Sequence, residues 1–328
     1  MRRRAFIAAA SAGVVWPILA RAQSTERPRR IGVLMDLAQD DPEGQVRIGA
    51  FRAELGRLGW TDGSNARIDV RWGAGIAERM SEHARDLAAF TPDAVLASGS
   101  LATAALRAAT VTVPVVFVSV VDPVGAGFVA SVARPGGNIT GFMLLEYSTG
   151  IKWLELLKDV EPHVKRVAVL RDSALASGNG QFGAVAAAAS SFGVALSPIG
   201  MRDAHEIEGA IDAFAHEAKG GLIVTASTLA TLHRDLIVAL ASRHRLPAIY
   251  SNRLFVTGGG LLSYSPDRIE QFRQAAVYVD RILKGEKPSE LPVQAPTKFE
   301  LAINLRTARQ LAIDIPPTLL ARADEVIE

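Results

Sequence analysis

No cysteine occurs in the 328-residue chain. That excludes a disulfide framework, a thiolate zinc site, an iron–sulfur cluster and a thiol nucleophile together. Histidine is scarce as well. His83, His163, His205, His216, His233 and His244 stand apart in the chain, so no two lie four residues apart to share a helix face as zinc ligands. Neither a Walker A loop nor a G-x-S-x-G elbow is present. A surplus of one charge is also lacking. Arg2, Arg3, Arg4 and Arg21 lie in the first 22 positions, and removing them from the chain's 36 basic residues leaves 32 against 34 acids. A body so close to neutral carries no electrostatic footprint for nucleic acid.

The N-terminus is informative. Three arginines precede an apolar stretch from position 5 to 19, and Ala20-Arg21-Ala22 supplies small residues at a cleavage site. This layout predicts a signal peptide over residues 1–22, cut after Ala22, followed by a polar linker over 23–29. Arg3-Arg4-Ala5-Phe6-Ile7 resembles the twin-arginine export motif, so Sec and twin-arginine routes both stay open. No later stretch approaches the roughly 18 apolar residues of a membrane span. A lipid anchor on cysteine is impossible. The expectation is a free protein in a bacterial periplasm.

Hydrophobic residues make up 49% of the chain and charged residues 21%, so a large core can be buried, and the length suggests about two domains. Short apolar runs alternate with amphipathic stretches. Ile31-Gly32-Val33-Leu34-Met35 reads as a buried strand, and residues 43–58 as a helix ending at Gly59. Further β-α units follow up to a strand over 113–121. After a loop-rich run at Arg134-Pro135-Gly136-Gly137-Asn138 the alternation restarts, from a helix at 152–160 to a short strand at 247–250. Residues 265–283 read as one long helix and 299–305 as a strand. Repeated β-α units require parallel sheets, so the class is α/β with two Rossmann-like lobes. The expected division is 30–138 plus 260–291 for the first lobe, and 139–259 plus 292–328 for the second.

In open parallel sheets, ligands bind beyond the carboxyl ends of the strands. The polar residues there are the candidate ligand-binding set: Asp36, Ser98, Gly99, Ser100 and Asp122 in the first series, and Asp172, Thr225, Ser227, Tyr250 and Asn252 in the second. Serines and glycines that open a helix present N–H groups to a carboxylate. An aspartate suits an amine. The same serines also suit helix capping, and Asp122 before Pro123 suits a local turn. Gly125-Ala126-Gly127-Phe128-Val129-Ala130 matches G-x-G-x-x-A, which keeps an exported NAD-dependent oxidoreductase as an alternative. No catalytic or metal residue is expected, and no cofactor under the main reading.

Longer blocks carry a resemblance. Leu58-Gly59-Trp60-Thr61-Asp62-Gly63, Arg71-Trp72-Gly73, Asp122-Pro123-Val124-Gly125-Ala126-Gly127, Arg134-Pro135-Gly136-Gly137-Asn138-Ile139-Thr140-Gly141 and Leu283-Lys284-Gly285-Glu286-Lys287-Pro288 are together similar to the ABC transporter substrate-binding proteins of the tryptophan/tyrosine-binding type. The resemblance implies a type I periplasmic-binding-protein architecture with a three-strand hinge. It also implies a monomer that closes on a small solute and delivers it to an inner-membrane ABC permease with its ATPase. An aromatic amino acid, another amino acid or a small carboxylate all fit. A ligand-presenting partner of a membrane receptor shares the same fold and remains a second alternative.

Overall fold

The computed structural model describes residues 27–328, so the signal segment and the start of the linker fall outside the described residues. In the first lobe, β1 (Arg29–Met35), β2 (Ala66–Trp72), β3 (Ala94–Ser98), β4 (Val115–Val121) and β5 (Ile139–Leu145) form a sheet in the order β2-β1-β3-β4-β5. Every pair in it is parallel. The crossovers run through α1 (Pro42–Arg57), α2 (Ala77–Ala89) and α3 (Gly99–Ala109). β3 and β4 are buried along their whole length, because helices cover both faces of the sheet. α1 begins at Asp41, whose carboxylate accepts the Glu43 N–H at 2.9 Å, with Pro42 in the first helical position. Both residues favour a helix start. Gly59 follows the helix at φ 97°, a left-handed conformation open to glycine.

The second lobe starts with α4 (Thr149–Val160), β6 (Arg166–Arg171), α5 (Ala176–Ala189), β7 (Ala195–Gly200), α6 (Ala204–Ala215) and β8 (Gly220–Val224). It continues through α7 (Thr228–Leu232), α8 (Arg234–Arg243), β9 (Ala248–Tyr250), α9 (Arg253–Thr257) and β10 (Leu262–Ser265). The chain then returns to the first lobe as α10 (Arg268–Leu283). It finishes in the second lobe with β11 (Glu300–Asn304), α11 (Leu305–Leu311), α12 (Pro317–Leu320) and β12 (Glu325–Ile327). The seven strands run β12-β11-β10-β9-β8-β6-β7. β10 and β11 are antiparallel and the other pairs parallel, so this sheet departs from the all-parallel expectation at one pair.

Each sheet has a core on both faces. Phe272, Ala275, Ala276 and Val279 of α10 pack with Ile31, Phe51, Leu96 and Val118, and Trp60 Nε1 donates to Asp280 Oδ1 at 2.9 Å. Those contacts bind α10 to the first lobe. In the second, Trp153, Leu157, Val169 and Ile223 fill one face, and Ile207, Ile211, Leu222 and Leu240 the other.

The lobe boundaries differ from those read in the sequence. β5 pairs with β4 and so belongs to the first lobe, although the proline- and glycine-rich run before it looked like a seam. Residues 262–265 form β10, a strand of the second lobe, although they were placed in the first. The chain crosses between lobes at 146–148, at 266–267 and again just after Gln294. At the third crossing Gln294 pairs with β5, its N–H donating to Gly141 O and its carbonyl accepting the Met143 N–H, both at 2.9 Å.

Candidate functional site

In each sheet the strand order reverses at one place, between β1 and β3 in the first and between β6 and β8 in the second. Loops on either side of such a point diverge and leave a crevice beyond the carboxyl ends. Asp36 follows β1 and Ser98 ends β3, so the first reversal brings them together. Ser98 Oγ donates to Asp36 Oδ1 at 2.5 Å. Gly99 has φ 82°, and a side chain there would meet Asp36 Oδ2 at 3.0 Å.

The second lobe reaches across to the same carboxylate. Thr228 Oγ1 donates to Asp36 Oδ2 at 2.8 Å. Nearby, Arg234 Nη1 of α8 lies 2.9 Å from Asp41 Oδ2 at the start of α1. Gly75 (φ 70°) approaches Leu232 of α7 so closely that a Cβ would lie 2.6 Å from it. The lobes are therefore drawn together.

Between them lies a narrow cavity of only about 20 Å³, far below the 300–1,000 Å³ or so usual for small-molecule sites, so the lobes leave little free space between them. Asp36, Gly99, Ser100 and Ser119 line it from the first lobe, Ser177, Ser227 and Thr228 from the second, and Arg268 from the hinge side. Val121, Leu144 and Leu175 supply apolar wall. A larger depression of about 240 Å³ on the hinge face, between α10 and residues 294–300, touches neither reversal point.

Arg268 is the cation of the cavity. It stands in the first turn of α10, where the helix dipole disfavours positive charge. Only 9% of it is exposed, and Nη2 donates to Ser251 O at 3.1 Å. Burial, and then the nearby Arg47, lower its pKa to about 9, while Asp36 and Glu43 hold it up. It therefore stays protonated at neutral pH. Arg47 is itself paired with Glu43 at 2.8 Å.

Of the residues anticipated from sequence, Asp36, Gly99, Ser100 and Ser227 line this cavity, and Ser98 stands behind Asp36. Ser227 also caps α7, accepting the Ala230 N–H at 3.0 Å. The other five lie outside it. Thr225 Oγ1 donates to Leu170 O at 2.9 Å. Asp172 accepts the Ala174 N–H at 3.0 Å, and burial raises its pKa against that backbone bond. Tyr250 stacks on Phe255 with ring centroids 4.7 Å apart, and burial pushes its phenol pKa up. Asn252 caps α9 through the Leu254 N–H at 3.1 Å. Asp122 accepts the Gly125 N–H at 2.8 Å from a left-handed backbone with φ 39°, and borders a separate depression beside Tyr147.

Ser119, Ser177 and Arg268 were not anticipated. Ser119 left a visible signal, as the one polar residue in Val115-Val116-Phe117-Val118-Ser119-Val120-Val121. Arg268 left another, a cation opening a helix. Ser177 left none, because the Ala-Ser-Gly-Asn-Gly start of α5 looked like loop.

The G-x-G-x-x-A match at Gly125 runs through turns between β4 and β5 and opens no helix. It therefore lacks the strand-to-helix context that holds a dinucleotide pyrophosphate. Among the described residues, no group of three His, Asp or Glu side chains is placed to hold a metal ion.

Comparison with known proteins agrees with this architecture. The family described as ABC transporter substrate binding protein matches residues 40–327. A tyrosine-binding protein of Clostridioides difficile (strain R20291) is 24% identical over 287 residues, covering 88% of this chain and 82% of its own. A solved ABC domain in complex with L-Trp from Streptococcus pneumonia is 25% identical, with a TM-score of 0.85 over 92% of this chain and all of its own. The ligand-free, open structure of a substrate binding protein with adhesive properties from Clostridium difficile is 23% identical. It superposes with a TM-score of 0.66 over 91% of this chain and 99% of its own.

Proposed function

The chain belongs to the ABC transporter substrate-binding protein family, and we propose that it is the solute-capturing component of an ABC importer. It works outside the cytoplasmic membrane after export. The two lobes close on one small solute, and the closed form is read by an inner-membrane permease whose ATPase supplies the energy. The protein itself binds and releases as a monomer, without chemistry of its own.

The observation that carries this reading is the Thr228–Asp36 hydrogen bond, which ties the lobes together over a polar cavity at both strand-order reversals. Closure is driven only as far as the solute prefers the closed arrangement. The solute is an amino acid or small carboxylate. The relatives that carry tyrosine and L-Trp in their names support that class, as does a cavity with one cation and one carboxylate.

Thermal unfolding of the mature protein, refolded to strip carried-over solute, tests it against amino acids, aromatic acids, dicarboxylates and sugars. A ligand at 100 times its Kd should add about 2.7 kcal/mol, which is a shift of several degrees. A shift confined to one chemical class supports solute capture. No shift with any class contradicts it, and a shift with NAD alone favours an enzyme.

A further inference from the structure

Two buried polar atoms at the cavity have no hydrogen-bond partner in the protein, Ser119 Oγ and Arg268 Nε. Ser119 is 6% exposed and Arg268 9%. Leaving such groups unsatisfied is costly, and native structures do it where something else completes them.

The backbone is arranged to put Ser119 there. The register of β4 on β5 shifts between Phe117 and Val120, and Ser119 sits at φ 58°, a conformation disfavoured for any residue with a side chain. Gln271 holds the distortion. Its Oε1 accepts the Ser119 N–H at 3.1 Å, and its Nε2 donates to Met143 O at 2.9 Å. Gln271 lies one turn beyond Arg268 on α10, so one helix fixes both cavity groups. A bulge, a left-handed serine and two unsatisfied atoms meet at one small cavity.

Both groups can donate a hydrogen bond, and Arg268 also brings charge. The Asp36 oxygens already accept from Ser98 and Thr228. We propose that Ser119 and Arg268 together read the carboxylate of the solute, with Gln271 as the residue that positions Ser119. A charge-assisted pair of this kind selects an acid over its neutral isostere, because the isostere leaves the buried guanidinium uncompensated. The proposal rests on the cleft being the solute site, and it narrows the solute to a carboxylate, excluding neutral sugars and polyols.

Calorimetry with matched pairs tests it: L-alanine and alaninamide, L-tyrosine and tyrosinamide, L-tryptophan and tryptophanamide, succinate and succinamide, with glucose and glycerol as neutral probes. The acid of at least one pair should bind about 30-fold or more tightly than its amide. Arg268→Gln should weaken that acid at least about 10-fold. Ser119→Gly removes the hydroxyl and relieves the left-handed strain, so it should raise the melting temperature of solute-free protein while weakening the acid several-fold. Equal binding of acid and amide, binding of glucose or glycerol alone, or wild-type affinity in Ser119→Gly would overturn the carboxylate pair and leave solute capture standing. Binding of none of these probes would overturn both.

Discussion

Asp36 and Thr228 sit 192 residues apart on different lobes, and the threonine hydroxyl donates to the aspartate carboxylate at 2.8 Å. The bond exists only while the lobes are together, so its free energy belongs to closure and not to the folding of either lobe. Thr228→Val keeps the shape and removes the donor. A hydrogen bond to a charged acceptor contributes about 1.5–3 kcal/mol, so solute affinity should fall by about 10-fold or more, with the solute-free melting temperature almost unchanged. Calorimetry and a thermal melt of the same sample check both halves.

The Arg234–Asp41 pair crosses the cleft in the same way. Asp41 has a second duty as the cap of α1, which separates the two partners. Arg234→Ala should weaken solute binding several-fold and leave the empty protein's stability within about 0.5 kcal/mol. Asp41→Ala should weaken binding and also cost about 1 kcal/mol of stability from the lost cap. Equal stability loss in both variants would contradict an interlobe role for the pair.

Asp172 gives a pH signature. Burial raises its carboxyl pKa in the folded protein above the unfolded value. The folded state then binds this proton more tightly than the unfolded state. The stability it supports is fully present below the unfolded pKa and is lost as pH rises through the raised folded value. Asp172→Asn keeps an acceptor for the Ala174 N–H and carries no charge, so it should be more stable than wild type at pH 7. That advantage should shrink as pH falls towards the unfolded carboxylate range. Melting curves of both proteins from pH 7 to pH 3.5 read it directly, and a constant difference across the range would contradict it.

Gly141 closes the Arg-Pro-Gly-Gly-Asn-Ile-Thr-Gly block, and a Cβ on it would lie 2.1 Å from the Phe117 carbonyl oxygen. Backbone cannot yield as a side chain can, so Gly141→Ala must push β5 away from β4, the strand that carries Ser119. A loss on the order of 3 kcal/mol is expected, with solute affinity lost alongside it. Denaturant titration measures the first. Gly137→Ala, in the same block with open space around its Cα, should cost little.

Much of this architecture was legible because buried strands and amphipathic helices repeat in order. The helix expected over 43–58 is observed as α1, one residue earlier at each end. What failed were elements too short or too interrupted to show a period. β5 carries Gly141 and follows a turn-rich run. β10 has four residues, and the helix expected from 265 starts only at Arg268. The apolar helical stretch before β9 is divided at His233 into α7 and α8. At the site, sequence order located the strand ends, which is why Asp36, Gly99, Ser100 and Ser227 fall on the cavity. It could not say which strand ends lie at a reversal of strand order, or which polar side chains there are spent on caps. Asp122 and Asn252 are occupied in that way. Arg268 entered the cleft through a helix that crosses from the other lobe, a contact no local pattern records.

The central claim is that the two lobes close over one solute. Small-angle X-ray scattering on the mature protein, with and without the solute found by thermal unfolding, tests it most directly. The account predicts a smaller radius of gyration on saturation at one solute per chain, with Thr228→Val needing more solute for the same contraction. A radius unchanged while calorimetry shows the solute fully bound would contradict closure.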